Sequence, residues 1–241
     1  PARGEDLQAH GLSLHATPQQ AVADAEVIIS MLADGQATLE VLAQIAPACQ
    51  PQAIYCQMGT IGLPETQQAI ALLRELQPAM TFVDAPVSGT KAPAEKAQIL
   101  VLASGEREKC GAAEQIFAAI SRGTQWFGEA GNSQKMKLVI NAWLIAMMQG
   151  VAESMQLAKQ FGFTADKLWE TLEGGPLAAP YVKGKLAMIR EMMSVGGKTV
   201  RTAAPAVAAK PAPTVVAAAP VAAPVVPPAK PVLTPPPAVA P

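Results

Sequence analysis

Residues 128–141 read Gly128-Glu129-Ala130-Gly131-Asn132-Ser133-Gln134-Lys135-Met136-Lys137-Leu138-Val139-Ile140-Asn141. After the glycines come Asn132 and Ser133, two residue types that favour a helix N-cap. The residues that follow are mostly apolar, and neither glycine nor proline occurs again before Gly150. The stretch therefore predicts the start of a long helix. Because its apolar residues point in nearly every direction, we expect this helix to be buried inside the protein.

Lys137 and Asn141 are four residues apart, so they share one face of this helix. Partial removal of a lysine ammonium from water lowers its pKa from about 10.4 toward values at which it exchanges protons near neutral pH. Asn141, one turn further on, is placed to orient the group that Lys137 protonates. The alternative is that Lys137, like Lys135, extends into solvent from the first turn of the helix.

Short apolar segments alternate with helical patterns before residue 128. A first helix is predicted through Asp24, with Thr17 as its N-cap and Pro18 at its first position. Strands are then predicted at 26–32, 53–57, 81–84, 98–104 and 124–127, and helices at about 36–46, 64–76 and 106–120. This alternation is typical of an α/β domain, a parallel sheet with helices on both faces.

Three loops follow the carboxyl ends of predicted strands, at residues 33–35, 58–62 and 85–91. In open α/β sheets, ligands bind beyond these strand ends. The segment Ser88-Gly89-Thr90 offers a hydroxyl and accessible backbone N–H groups, which are suited to holding a carboxylate or a carbonyl oxygen. The same three residues also suit an ordinary turn.

Three segments differ in composition. Residues 1–127 form the predicted sheet domain. Residues 128–192 form a helical domain, in which Thr164 caps a helix at 165–172 and a last helix covers about 181–192. The third, residues 193–241, is rich in alanine, proline and valine, so we expect a disordered tail that is either inert or a ligand for a proline-recognising groove.

Composition and charge narrow the classes of function. A formal net charge of −1 over 241 residues gives no electrostatic basis for binding nucleic acid or an anionic membrane. Three cysteines and two histidines lack metal-ligand spacing, so no metal site is predicted, and free thiols suggest a cytoplasmic protein. The apolar window at 138–151 is too short for a membrane span and contains Asn141 and Gln149, and no signal peptide precedes it.

Two motifs resemble the β-hydroxyacid dehydrogenase family, which includes 3-hydroxyisobutyrate dehydrogenase and the glyoxylate/succinic semialdehyde reductases. Asp84-Ala85-Pro86-Val87-Ser88-Gly89 resembles the family's substrate-binding signature, and the segment from Gly131 to Asn141 resembles its catalytic helix. The resemblance extends over roughly residues 1–191. The continuation Thr90-Lys91-Ala92-Pro93-Ala94-Glu95 is more similar to the glyoxylate/succinic semialdehyde reductases.

The resemblance implies an oxidoreductase that interconverts a small aldehyde or keto acid, similar to glyoxylate or succinic semialdehyde, with the hydroxy acid. Hydride transfer would use NADP or NAD as the cofactor. By position in the motifs, Lys137 would be the general acid and base, and Asn141 its partner. The substrate would be bound by Ser88, Gly89 and Thr90.

The cofactor contacts implied by the resemblance are Leu32, Ala33 and Thr60. The family usually has Leu-Pro where this chain has Leu32-Ala33, which leaves that contact to the backbone. Family members begin with a strand and a G-x-G-x-x-G phosphate loop, and a second strand selects NAD or NADP; we expect this chain to lack that segment. We also expect the Ala/Pro tail to replace the family's last helical stretch.

Two hypotheses about function therefore remain open. The chain is either an NAD(P)-dependent reductase of this family, or a non-catalytic fragment or interaction protein that lacks a working cofactor site. The resemblance further implies a homo-oligomer, assembled through the helical domain, if the chain folds.

Overall fold

The structure is a computed structural model that describes residues 7–194. The compact unit that contains these residues ends at Ser194. Of the predicted tail at 193–241, the residues from 195 onward lie outside the described part of the chain. The boundary predicted between a sheet domain at 1–127 and a helical domain at 128–192 stays a prediction.

The first part of the chain alternates strands and helices, as predicted, although most ends are shifted by a few residues. Thr17 caps the first helix, its Oγ1 accepting a hydrogen bond from the backbone N–H of Gln20 at 3.3 Å. The elements are α1 (Pro18–Val22), β1 (Val27–Ser30), α2 (Gly35–Ile45), β2 (Ile54–Gln57), α3 (Leu63–Leu76), β3 (Thr81–Asp84), β4 (Val87–Ser88), α4 (Lys91–Glu95), β5 (Ile99–Gly105), α5 (Gly111–Ile120) and β6 (Ser121–Trp126).

The α/β fold class is confirmed, but the sheet is mixed and not wholly parallel. Strands β1, β2 and β3 are parallel neighbours, whereas β5 runs antiparallel to both β3 and β4 and parallel to β6. The physical reason is the short link at residues 89–98. A parallel crossover needs about a dozen or more residues, so this link returns β5 antiparallel to β4.

Two apolar clusters cover the two faces of the sheet. Tyr55 and its neighbour Cys56 on β2 point to opposite faces, because side chains alternate along a strand. Tyr55 packs with buried residues of α2 and α3, including Leu42 and Leu73. Cys56 belongs to the cluster that contains Phe117 of α5. Both faces are therefore covered by helices, as predicted.

The second part of the chain is helical and contains α6 (Asn132–Gln160), α7 (Ala165–Leu172) and α8 (Pro180–Ser194). Thr164 caps α7, as predicted, with its Oγ1 accepting a hydrogen bond from the N–H of Lys167 at 3.1 Å. A small buried cluster of Val151, Met155, Ala165 and Leu186 joins the three helices.

The prediction that α6 is a buried core helix is wrong for its middle part. Val139, Trp143 and Ile145 are 64%, 66% and 65% exposed. The reason is that the described residues bury α6 only near its first turn, against the sheet, and in its second half, against α7 and α8. By length and composition alone, α6 would also be able to cross a membrane, which for a single helix is weak evidence.

Paired substitutions on α3 test the packing of the sheet. Leu73 is 2% exposed and Leu76 on the same helix is 37% exposed. We expect Leu73→Ala to lower the free energy of unfolding by about 2–5 kcal/mol, because it leaves a cavity. Leu76→Ala should change it by about 0.5 kcal/mol or less. Urea denaturation followed by circular dichroism measures both, and equal losses would contradict this packing.

Candidate active site

Helix α6 begins without a side-chain cap of its own. Its N-cap is Gly131, whose φ of +95° lies in the left-handed region that favours glycine. The carboxylate of Asp84, at the end of β3, takes the place of the cap. Its Oδ2 accepts hydrogen bonds from the backbone N–H of Gln134 at 3.0 Å and from Ser133 Oγ at 2.6 Å.

The predicted N-caps, Asn132 and Ser133, are therefore wrong, because both residues lie inside the helix. The side-chain amide of Asn132 donates to the backbone carbonyl of Phe127 at 3.0 Å. Ser133 points back to the sheet instead of capping its own helix. A carboxylate from a neighbouring strand satisfies the helix more strongly than a neutral cap, since it also complements the positive end of the helix dipole.

A fully buried hydrogen-bond network surrounds the Asp84 carboxylate. Gln134 Nε2 donates to Asp84 Oδ1 at 3.1 Å and to the carbonyl of Gly59 at 2.8 Å. Ser104 Oγ accepts from the N–H of Ser133 at 3.1 Å. Burial raises the pKa of the Asp84 carboxyl, while its hydrogen bonds with Ser133 and Gln134 act in the opposite direction.

The loop after β2 is held against this network. The side-chain amide of Gln57 bonds both the N–H and the carbonyl of Gly59. A Cβ on Gly59 would lie 3.2 Å from Gln57 Oε1 and 3.5 Å from the carbonyl oxygen of Leu32. Gly59 thus lies between the loop after β1 and the start of α6. Thr60, the next residue, is exposed.

Lys137 and Asn141 continue the same side of α6, because Gln134, Lys137 and Asn141 are spaced at i, i+3 and i+7. Lys137 is half-buried, and burial lowers the pKa of its ammonium. Among the described residues, neither side chain has a hydrogen-bond or ion-pair partner. Lys135, in contrast, is exposed and donates to Asn132 Oδ1 at 2.9 Å. Lys137 is therefore not simply a second solvated lysine.

The Ser88-Gly89-Thr90 segment leads from the end of β4 to the start of α4. Ser88 lies in β4 and pairs with Leu100 of β5. Gly89 has a φ of +149°, and a Cβ there would lie 2.7 Å from Ile99 Cγ2, so no other residue fits without displacing that side chain. Among the described residues, no hydrogen bond of the Ser88 or Thr90 hydroxyl is found.

The network contains none of the predicted site residues, but it links elements that carry several of them. Gln134 bonds directly to Gly59 and Asp84, which brings Thr60 and the Leu32-Ala33 loop beside the face of α6 that carries Lys137. The Ser88-Gly89-Thr90 segment is connected through β5, which pairs with both β3 and β4. No hydrogen bond joins this segment to α6 in the described part of the chain.

Sequence reasoning missed the network itself. Asp84 belongs to the motif at residues 84–89, but nothing in that motif indicates that its side chain caps a helix formed by a distant segment. One signal was present, since an aspartate ending an apolar strand that is covered on both faces must be paired with donors.

A cleft of about 720 Å³ lined by Arg74, Phe82 and Glu129 includes none of the predicted site residues. Residues 7–194 contain no group of acidic, histidine or cysteine side chains that could hold a metal.

The chain is similar to several known proteins. Residues 1–128 match the family described as the NAD binding domain of 6-phosphogluconate dehydrogenase. Glyoxylate/succinic semialdehyde reductase 1 of Arabidopsis thaliana is 30% identical over 190 residues, which are 75% of this chain and 63% of that protein. Cytokine-like nuclear factor N-PAC of Aedes aegypti is 29% identical over 74% of this chain and 32% of that protein.

A solved structure of Mycobacterium tuberculosis 3-hydroxyisobutyrate dehydrogenase with L-serine superposes with a TM-score of 0.66. At 22% identity, it covers 83% of this chain and 78% of that one, and it shows a shared fold. The chain spans less than two thirds of the length of the two curated relatives above.

The environment of Lys137 predicts how its amine titrates. We expect competitive acetylation, followed by peptide mass spectrometry, to give Lys137 a pKa below the ordinary value of about 10.4. Because burial favours the neutral amine, acetylation of Lys137 should reach its plateau at lower pH than that of a model lysine peptide. Lys137→Arg removes the signal and confirms its assignment. A titration at the ordinary value would contradict the half-buried position.

Proposed function

Because the chain belongs to the β-hydroxyacid dehydrogenase family, we propose that it carries the substrate and proton-transfer site of an NAD(P)-dependent reductase. The observation that carries this proposal is Lys137, a half-buried lysine without a partner among the described residues, on the face of α6 that meets the strand ends. The chain spans less than two thirds of the length of these curated relatives. That these 241 residues catalyse the reaction by themselves is therefore also part of the proposal.

The proposed substrate is a small aldehyde or keto acid similar to glyoxylate or succinic semialdehyde. The motif at residues 90–95 supports this class, and so does the name of the Arabidopsis thaliana relative. The Ser88 hydroxyl and the backbone N–H groups of Gly89 and Thr90 would hold the substrate carboxylate. Glycine at 89 suits this role, because it leaves the backbone open to close approach.

The proposed cofactor is NADP or NAD, which when bound supplies or accepts the hydride at the carbonyl carbon. The residues that would hold its nicotinamide end are Leu32, Ala33 and Thr60. The structure is compatible with this role, because all three are exposed beside the packed Gly59 backbone and the hydroxyl of Thr60 has no partner among the described residues. Because residue 33 is alanine and not proline, its contact with the cofactor would be made by backbone atoms.

The proposed role of Lys137 is proton transfer at the substrate oxygen. As an ammonium it would donate its proton when the carbonyl is reduced, and as an amine it would accept the proton when the alcohol is oxidised. Burial lowers the pKa of the Lys137 ammonium, which favours release of its proton to the substrate oxygen. Asn141, one helical turn further on, would donate a hydrogen bond that orients the same oxygen.

Removal of the lysine amine tests this role. We expect Lys137→Ala to lower the rate of NADPH or NADH oxidation with succinic semialdehyde or glyoxylate by about 10²- to 10⁴-fold, because the general acid is lost. Cofactor affinity, measured by fluorescence titration, should be nearly unchanged. Lys135→Ala is the matched control, since Lys135 is exposed on the same turn, and its turnover should equal that of the wild type. Normal turnover by Lys137→Ala would contradict the assignment.

A second candidate is a non-catalytic fragment or interaction protein. It is supported by the similarity to N-PAC, a protein whose name describes a nuclear factor and not an enzyme. Cofactor binding separates the two candidates. If the folded wild-type chain does not bind NADPH or NADH, it keeps substrate and proton-transfer residues without a working cofactor site, and the second candidate is correct.

We further propose that the chain forms a homo-oligomer through the middle of α6. The exposed apolar side chains there lie on two sides of the helix, with Val139 and Trp143 on one and Ile145 and Met148 on the other, and further copies of the chain packed around α6 would cover both. The three buried cysteines are all free thiols, which supports the proposal of a cytoplasmic location.

Sedimentation velocity tests the oligomer. We expect the wild-type chain to sediment as a dimer or larger species, and Trp143→Glu with Ile145→Glu to sediment as a monomer, because charges cannot be buried in an apolar interface. Leu12→Glu is the control, since Leu12 is 45% exposed and lies outside α6. A monomeric wild-type chain, or one that co-floats with lipid vesicles, would contradict the proposal.

A further inference from the structure

We infer that Asp84 is a positioning residue for Lys137: its carboxylate fixes the start of α6 against the strand ends and thereby sets where the lysine amine lies. This inference rests on the role proposed for Lys137. It assigns Asp84 no contact with substrate or cofactor, because the carboxylate is fully buried.

The first step is the attachment of the helix. The backbone N–H groups in the first turn of a helix have no partner within it. At the start of α6, Asp84 Oδ2 accepts from the N–H of Gln134, and Ser104 Oγ accepts from the N–H of Ser133. Since β3 and β5 supply these two acceptors, the rotation of α6 about its axis is fixed relative to the sheet.

The second step is the link to the cofactor loops. The side-chain amide of Gln134 donates one hydrogen bond to Asp84 Oδ1 and another to the carbonyl of Gly59. Gly59 lies against the carbonyl of Leu32. Asp84 therefore holds Gln134 in the one orientation that joins α6 to the loops carrying Leu32 and Thr60. Lys137 follows Gln134 by three residues on the same helix, so a rotation or shift of the first turn of α6 would move the amine.

The third step concerns the choice of a carboxylate. Two acceptor oxygens are needed, because Gln134 presents two donors and Ser133 a third. An asparagine amide has one acceptor oxygen, so either of its orientations places its NH₂ against a donor of Gln134. Burying this charge is unfavourable, as the raised pKa of Asp84 indicates. An apolar residue at position 84 could fill the same space but could not accept these three hydrogen bonds. The carboxylate therefore serves to position α6.

The experiment measures Lys137 by competitive acetylation in the full chain, without cofactor or substrate. The method yields both the pKa of the amine and the reactivity of its neutral form, which depends on its exposure. In Asp84→Asn we expect the lowered pKa to return at least halfway to the ordinary value, and the neutral amine to become more reactive. Ser121→Ala is the control, because its buried hydroxyl bonds the Phe117 carbonyl and touches no part of the network.

A second variant keeps the test decisive if Asp84→Asn does not fold. Gln134→Leu retains the carboxylate and removes the link to Gly59, and we expect the same change at Lys137. A purely structural Asp84 would lower the stability of both variants and leave Lys137 unchanged in the folded protein. Wild-type pKa and reactivity in the variants that fold, with α6 still protected in hydrogen exchange, would overturn the inference.

The outcome is independent of whether the chain is an active enzyme. Absence of NADPH or NADH oxidation by the wild-type chain would contradict the proposed function, yet the labelling of Lys137 would still report on Asp84. If the wild-type lysine titrates normally, the proposed proton donor is contradicted, and the reactivity of the neutral amine alone decides the positioning role.

Discussion

The Asp84 carboxylate at the start of α6 connects the two parts of this protein. Three donors from the first turn of the helix converge on one buried charge at the end of a central strand. A helix that begins with glycine has no side chain with which to satisfy its own N–H groups, so the acceptor has to come from elsewhere. Because β3 supplies it, the helix cannot rotate or slide relative to the strand ends.

The same attachment links the elements that carry the predicted site residues, although these residues are distant in sequence. Thr60 follows β2, Ser88 lies on β4, and Lys137 is on α6. Each belongs to an element that is hydrogen-bonded to β3, to β5 or to the network around Asp84. The polar side chains of these three residues have no partner among the described residues, whereas the side chains of Asp84, Ser104 and Ser133 are all bonded to one another and Gln134 keeps only its Oε1 without a partner. That contrast separates the groups available to a ligand from those that support them.

The sequence predicted the order of most elements, although not β4 and α4, because the signals were local. Thr17, Pro18 and Thr164 begin helices through capping that depends on a few neighbouring residues. The direction of β5 was not predictable from its apolar pattern, since that pattern is the same in parallel and antiparallel neighbours. The exposure of the middle of α6 was also missed, because an apolar helix that other parts of the chain leave uncovered looks the same in sequence as one that they bury.

The sequence by itself determined the α/β class, the position of the long helix and the motifs that place this chain in its family. Hydrophobic periodicity, capping residues and short motifs are properties of neighbouring residues, so they can be recognised from the sequence alone. Only the tertiary structure decided that Asp84 caps α6, that Gln134 links it to Gly59, and that Lys137 is half-buried while Lys135 is exposed. These facts depend on contacts between residues 50 and 75 positions apart, and hydrogen-bond partners and burial at that separation exist only once the chain has folded.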